Sequence, residues 1–304
     1  MGWSSSFSTP AASSPRRLLE PPLLAALLGL SLPVHRIRGA LSGMHPGSGP
    51  GPGEDFFQHR PYAAGEDVRA VDWRASARLG HLLVKERHRP LRQPLVLLLD
   101  GSDSMGFPPG RNSKRHRARQ LAAALALLAL RRGDPVRLDV LTEGGFLPTA
   151  RALPGAGAAA RAEALLGQEG TAGQADVARA LHRLSADELS AKHAVLLSDL
   201  YGDTALLQRG LERLVHAGAA VTVLHLLSER DVRLPAGTRA VRDVESGETL
   251  AVGHPEAQQL PLRVQAWKRA LRALAERAGA EWVSVEAEAN PGVALRRWLG
   301  GRRG

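Results

Sequence analysis

From residue 94 onward, short runs of Val and Leu alternate with longer amphipathic or wholly apolar segments. Leu95 to Asp100, Arg137 to Thr142, Ala194 to Asp199, Val221 to Leu227 and Trp282 to Glu286 read as strands. Several are apolar at successive positions, as central strands covered on both faces must be. Lys114 to Arg132, Gln174 to Leu184, Thr204 to Ala217 and Leu262 to Ala278 read as helices, each ending near a glycine or a charged turn. Leu121 to Leu130 is apolar all round and is expected to be the most buried helical stretch. The alternation predicts an α/β fold, a mostly parallel sheet with helices on both faces. Asp243 to Leu250, with Ser246-Gly247 inside, reads as a hairpin turn ahead of the last helix. No internal repeat interrupts the pattern.

Upstream the pattern is different. The first fifteen residues are rich in Ser, Pro and Ala without apolar periodicity and predict a disordered leader. Leu23 to Leu32 is apolar but ten residues long, and a membrane span needs about 20. Arg16 and Arg17 precede it as in a signal peptide, yet Arg36 and Arg38 follow where small cleavage-site residues belong. A short docking helix is therefore expected, with no membrane span. The Gly/Pro stretch from Gly43 to Gly53 reads as a linker unable to hold a helix or a strand, separating that helix from the rest. The organisation expected is a leader over 1–17, the short helix and linker over 18–53, a charged segment over 54–93, the α/β domain over 94–290 and a basic tail over 291–304.

Composition narrows the function classes. The 304 residues carry a formal charge of +10, which would suit a polyanionic surface if the cations were clustered. They are not: arginines are scattered through every helix, the lysines are Lys85, Lys114, Lys192 and Lys268, and aromatic residues for stacking bases are few. No nucleic-acid partner is expected. Cysteine is absent, which excludes disulfides, thiolate nucleophiles and Cys-ligated zinc and fits a reducing, cytoplasmic setting.

In open α/β sheets ligands gather at the carboxyl ends of the strands. Two apolar runs there end in an acid, delivering Asp100 and Asp199. A carboxylate at the end of a buried strand must be paired, hydrogen-bonded or bound to a cation. In a gently turning segment positions i, i+2 and i+4 project to one side, so Asp100, Ser102 and Ser104 converge. With Asp199 they form an all-oxygen set of the kind hard cations take, Mg2+ best, since Ca2+ would need more carboxylates.

Asp100-Gly101-Ser102-Asp103-Ser104 resembles the metal-ion-dependent adhesion site of von Willebrand A domains, whose pattern is Asp-X-Ser-X-Ser. The resemblance implies a von Willebrand A-like (Rossmann-like) fold, with Mg2+ or Mn2+ on Asp100, Ser102, Ser104 and Asp199 and an open position for a partner's acidic side chain. Relatives add a threonine from Gly-Gly-Thr-Asp-Leu. Here the register is Gly173-Gln174-Ala175-Asp176-Val177, with alanine in its place, and either Thr171 or water would have to fill the gap.

A second resemblance covers Gly53 to Glu86, with Arg60-Pro61-Tyr62, Gly65-Glu66-Asp67-Val68-Arg69, Val71-Asp72-Trp73-Arg74 and Ala75-Ser76-Ala77-Arg78. This stretch is similar to the signature of family 58 among the domains of unknown function, where it is joined as an N-terminal extension to a von Willebrand A-like domain. Together the two resemblances span roughly residues 36 to 290. They imply a non-catalytic, metal-dependent adaptor acting with a MoxR-type AAA+ ATPase on a client protein. Within the extension Gly65-Glu66-Asp67 reads as a turn and Trp73 as an apolar anchor. Asp67, Arg69, Asp72 and Arg74 read as possible ion pairs. Arg69, Asp72, Trp73 and Arg74 either pin the segment to the main domain or form a partner-docking surface.

The enzymatic alternative is a haloacid-dehalogenase-like phosphatase, which also places an aspartate after its first strand. That chemistry needs a second aspartate two positions later to protonate the leaving group. Ser102 stands there, Asp103 is out of phase, and no lysine is well placed after a later strand. P-loop, His-Glu-X-X-His and Gly-X-Ser-X-Gly patterns are absent, and the eleven histidines are dispersed, His193, His216 and His225 reading as surface or satisfied core positions. A basic nucleic-acid-binding module is the remaining alternative, on charge alone.

Overall fold

The computed structural model describes residues 17–33, 49–63, 65–89, 92–167, 175–243 and 247–301. In chain order the elements are α1 (Pro21–Ala26), β1 (Gly49–Pro61), α2 (Trp73–Leu79), β2 (Leu83–Arg89), β3 (Leu95–Leu99), α3 (Lys114–Arg132), β4 (Val136–Thr142) and β5 (Gly145–Ala152). Then come α4 (Ala158–Leu165), α5 (Val177–Arg183), β6 (His193–Ser198), α6 (Thr204–His216), β7 (Ala220–Leu227) and α7 (Glu229–Val232). The chain ends with β8 (Ala240–Arg242), β9 (Thr249–Ala251), α8 (His254–Arg277), β10 (Glu281–Glu286) and α9 (Pro291–Gly300).

The main sheet runs β10-β7-β6-β3-β4-β5. All neighbours are parallel except β5, which returns antiparallel to β4. This is the α/β class the apolar pattern predicts, with β3 and β6 buried along their whole length. Side chains alternate across a strand, so each central strand feeds two cores. Leu95, Leu97, Leu99, Val195 and Leu197 face α1, α3, α4 and α9 on one side. Val96, Leu98, Ala194 and Leu196 face α5, α6 and the end of α8 on the other. The first core explains why α3 is apolar all round: Leu121 to Leu130 are buried without exception. The hairpin expected near residue 247 is β8-β9, closed by Asp243 N–H to Glu248 O at 2.8 Å.

Four expectations need correction. Strand β5 was not expected, because Pro148 and three exposed positions hide its pattern; an edge strand tolerates both. Residues 291–300 are no tail but α9, with Asn290 capping its first turn and Leu295, Trp298 and Leu299 in the core. The docking helix exists, but it is not set apart. Leu18, Leu19, Leu23, Leu27 and Leu32 belong to the main core, and α1 lies so close to α9 that a Cβ on Gly292 would sit 2.4 Å from that of Ala26. Finally, the last residues of the Gly/Pro stretch, Gly49 to Gly53, lie in β1. They fit because the β1-β2 register shifts there, Pro50 and Asp55 both facing His88, and because both strands of this two-stranded sheet are edges. The leader, the rest of that stretch and Thr171 lie outside the described residues.

Candidate functional site

The two acids that end apolar strands are brought together as expected. Asp100 follows β3 and Asp199 follows β6, neighbours in the sheet, and both are buried, at 2% and 1% exposure. Asp100 Oδ1 accepts the Ser102 N–H at 2.9 Å, which bends the chain so that the hydroxyls of Ser102 and Ser104 meet at 3.1 Å. Asp100 Oδ2 accepts the Ser198 hydroxyl at 2.5 Å. That hydroxyl in turn accepts the Leu200 N–H at 2.8 Å, while Leu200 takes a left-handed φ of 59° and turns the chain sharply after Asp199. Burial first, and the nearby Asp199 charge second, raise the Asp100 pKa to about 6, against the hydrogen bonds from Ser198 and Ser102. A cation beside this pair would relieve both causes.

One cation is already present. Lys114, the first residue of α3, is 1% exposed and reaches Asp199 Oδ2 at 2.8 Å and Asp231 Oδ2 at 3.2 Å. Asp231 is held in place by a reciprocal capping box with Ser228 at the start of α7. The ammonium also lies 5.1 Å from the centre of the Tyr201 ring, and that ring stacks on Trp267. Burial, then Asp231 and Asp199, push the Tyr201 hydroxyl pKa up, so it remains a neutral donor to Asp231. Cations are disfavoured in the first turn of a helix, where the dipole is positive. Lys114 and Arg115 both stand there with no acid in the same turn. Arg115 is matched by the loop instead: its guanidinium donates to the Ser102 carbonyl at 2.9 Å and the Gly101 carbonyl at 3.3 Å.

Below this layer His225 on β7 is buried, and burial lowers its pKa to about 3. The neutral ring faces the Asp199 carbonyl at 3.0 Å through Nε2, which must be the protonated nitrogen because a carbonyl only accepts. Its Nδ1 has no hydrogen-bond partner. His193 is a buried core residue whose Nε2 meets the Thr222 hydroxyl at 3.0 Å, and His216 is exposed. In the second loop, Ala175 is buried and Asp176 caps α5, accepting from Ala178 and Arg179 N–H groups. Asp103 points outward to Arg115, so the acid needed by the phosphatase alternative is not beside Asp100.

The upstream segment uses its charges locally. Asp67 accepts the Arg69 N–H, and Asp72 accepts the Arg74 and Ala75 N–H groups at the start of α2. Arg60 pairs with Glu66 through both terminal nitrogens at 2.9 and 2.7 Å, and His59 Nε2 lies 2.9 Å from Asp72 Oδ2. Arg60 is the main reason that the Glu66 carboxyl titrates below its ordinary value. Trp73 is not an anchor but 63% exposed. As the first residue of α2 it faces outward, while Val71, Leu83 and Val84 fill the inside.

The oxygen donors on the β3 loop fit a hard divalent ion: a buried carboxylate with two hydroxyls beside it. The wider set is thinner than the resemblance implies. No group of three His, Cys, Asp or Glu side chains able to hold a metal exists among the described residues, and Asp199 faces a lysine. Sequence reasoning missed Lys114, although its place in a basic first turn, against the helix dipole, was a signal of a nearby acid.

These features define an α/β domain with an oxygen-rich loop and a lysine-bridged carboxylate pair at the carboxyl edge of its sheet. The chain belongs to the family described as protein of unknown function DUF58, whose model matches residues 58–277. It is similar to the uncharacterized proteins Mb1516 of Mycobacterium bovis and Rv1480 of Mycobacterium tuberculosis, each 33% identical over 234 residues, 75% of this chain and 73% of the relative. Among solved structures it is similar to an aerotolerance-related membrane protein from Bacteroides fragilis (TM-score 0.43, 16% identity, 69% of this chain and 97% of that one). It is also similar to the VWA domain of SpRpn10 (TM-score 0.38, 13% identity, 68% and 95%). No helix among the described residues is long and apolar enough to cross a membrane.

Proposed function

We propose that this protein is a non-catalytic, divalent-metal-dependent binding adaptor that docks a partner at the carboxyl edge of the main sheet. The observation that carries the reading is the convergence of Asp100, Ser102 and Ser104 on one loop beside Asp199. Mg2+ or Mn2+ would be held by the first three, with Asp199 as the acidic neighbour and Thr171 or water as a further donor. The ion would supply an electrophile for an acidic side chain of the partner. The loop's share is positional: Asp100 holds the Ser102 backbone, and Arg115 fixes the Gly101 and Ser102 carbonyls. In this reading the chain works in the cytoplasm with a MoxR-type AAA+ ATPase on a client protein. Arg69, Asp72, Trp73 and Arg74 offer a second contact surface, supported by the exposure of Trp73.

The test is affinity purification from the native cell with the wild-type chain and Asp100→Ala. An ATPase recovered with the first and lost with the second supports the adaptor role; identical partner sets overturn it. Alongside, Mg2+ or Mn2+ is expected to raise the melting temperature of the wild type and not of Asp100→Ala, since a ligand stabilises the state that binds it. Equal curves with and without the ion would remove the metal from the reading.

A further inference from the structure

Lys114 is the most buried cation of the site, and the resemblance that suggests the ion ligands assigns it nothing. Its position is unfavourable on two counts, burial of an ammonium and placement at the positive end of a helix of nineteen residues. Two carboxylates from different strand ends offset this, Asp199 after β6 and Asp231 after β7. Asp199 Oδ2 is buried, accepts no hydrogen bond, and has the ammonium as its counter-charge. Tyr201 covers the ammonium from outside, its ring anchored on Trp267.

We propose that Lys114 is the resident cation of this site, holding Asp199 and Asp231 together and so withdrawing Asp199 from the coordination of any divalent ion, which is left to Asp100, Ser102 and Ser104. The inference rests on reading the β3 loop as the ion site. It changes the roles within that site: the loop and Asp100 meet the ion, while Lys114, Asp199 and Asp231 form a positioning unit that is complete without it. The two strand ends are thus held in register by a charge belonging to the chain, and the ion is bound by the Asp-X-Ser-X-Ser loop without the further acidic ligand that the resemblance implies.

Two measurements on the full chain test it. In the first, Mn2+ binding is followed by electron paramagnetic resonance in wild type, Asp199→Asn and Asp100→Ala. Asp199→Asn leaves Asp231 to pair Lys114 and is expected to change the Mn2+ dissociation constant less than three-fold, whereas Asp100→Ala abolishes binding. A loss of ten-fold or more in Asp199→Asn shows that Asp199 is a ligand and overturns the proposal. The second reads the lysine itself, and the presence of only four lysines makes it tractable. With Lys85, Lys192 and Lys268 replaced by arginine, the 15N-labelled Lys114 ammonium is expected to exchange slowly with water, to shift in Asp199→Asn and to stay slow when Mg2+ is saturating. A fast-exchanging signal, or one released by Mg2+, overturns the proposal. If no variant binds Mn2+, the ion reading falls, and the response of the ammonium signal to Asp199→Asn still decides whether Lys114 is the cation of Asp199.

Discussion

At the carboxyl edge of the main sheet, Lys114, Asp199 and Asp231 meet behind Tyr201 with almost no exposure to water, whereas Arg60 and Glu66 of the upstream segment pair in partial contact with solvent. Both regions pair acids with bases, and the side-chain distances are similar, 2.8 Å for Lys114 to Asp199 and 2.7 Å for Arg60 to Glu66. What differs is the cost of separating the charges. Water takes over the partner's role around Arg60 and Glu66, while nothing does so around Lys114. Distance therefore says little about which pair matters, and burial decides it.

Three substitutions sharpen that contrast, from the largest effect to the smallest. Lys114→Met leaves Asp199 and Asp231 buried without their counter-charge and is expected to lower unfolding free energy by about 3–5 kcal/mol, the usual cost of breaking a buried pair. Urea unfolding measures it, and a loss below about 1 kcal/mol would place this pair with the surface ones. Asp72→Ala removes two capping bonds from α2 as well as the contact with His59, for about 1 kcal/mol, read as a drop of a few degrees in melting temperature. Glu66→Gln is expected to leave the urea midpoint within error at 0.5 M salt. Its small effect has a sign: a carboxyl held below its ordinary value of 4.5 stabilises above that range and ceases to do so as pH falls through the lowered value. The difference between wild type and Glu66→Gln should thus be seen at neutral pH and low salt, and vanish in acid. A difference growing toward acid would contradict the Arg60 pairing.

The parts of the molecule visible in the sequence were those that burial writes into consecutive residues. Strands β3 and β6 are apolar throughout because both faces are covered, and α3 matches its expected ends, Lys114 and Arg132. Asp100 and Asp199 were legible because an acid after such a run is conspicuous. Strand β5 was illegible because its exposed positions and Pro148 carry the signature of a loop. Helix α9 was hidden by Arg296 and Arg297, though Leu295, Trp298 and Leu299 have the spacing of one helical face. Lys114 was missed for another reason. It lies fourteen residues beyond Asp100 and 85 before Asp199, and only the folding of α3 against the ends of β6 and β7 gives it a partner. Trp73 failed in the opposite sense, its large apolar surface suggesting an interior position that the start of α2 does not provide.

The contact between α1 and α9 has a consequence for how the chain matures. Leu23 and Ala26 are made well before the surface they cover, around Gly292. During synthesis the part of α1 that faces α9 stays uncovered until residues 291–300 have left the ribosome, and the first core closes only when α9 arrives. A nascent chain stopped before Pro291 would therefore display that face of α1 to chaperones, and the arrival of α9 is the event that conceals it.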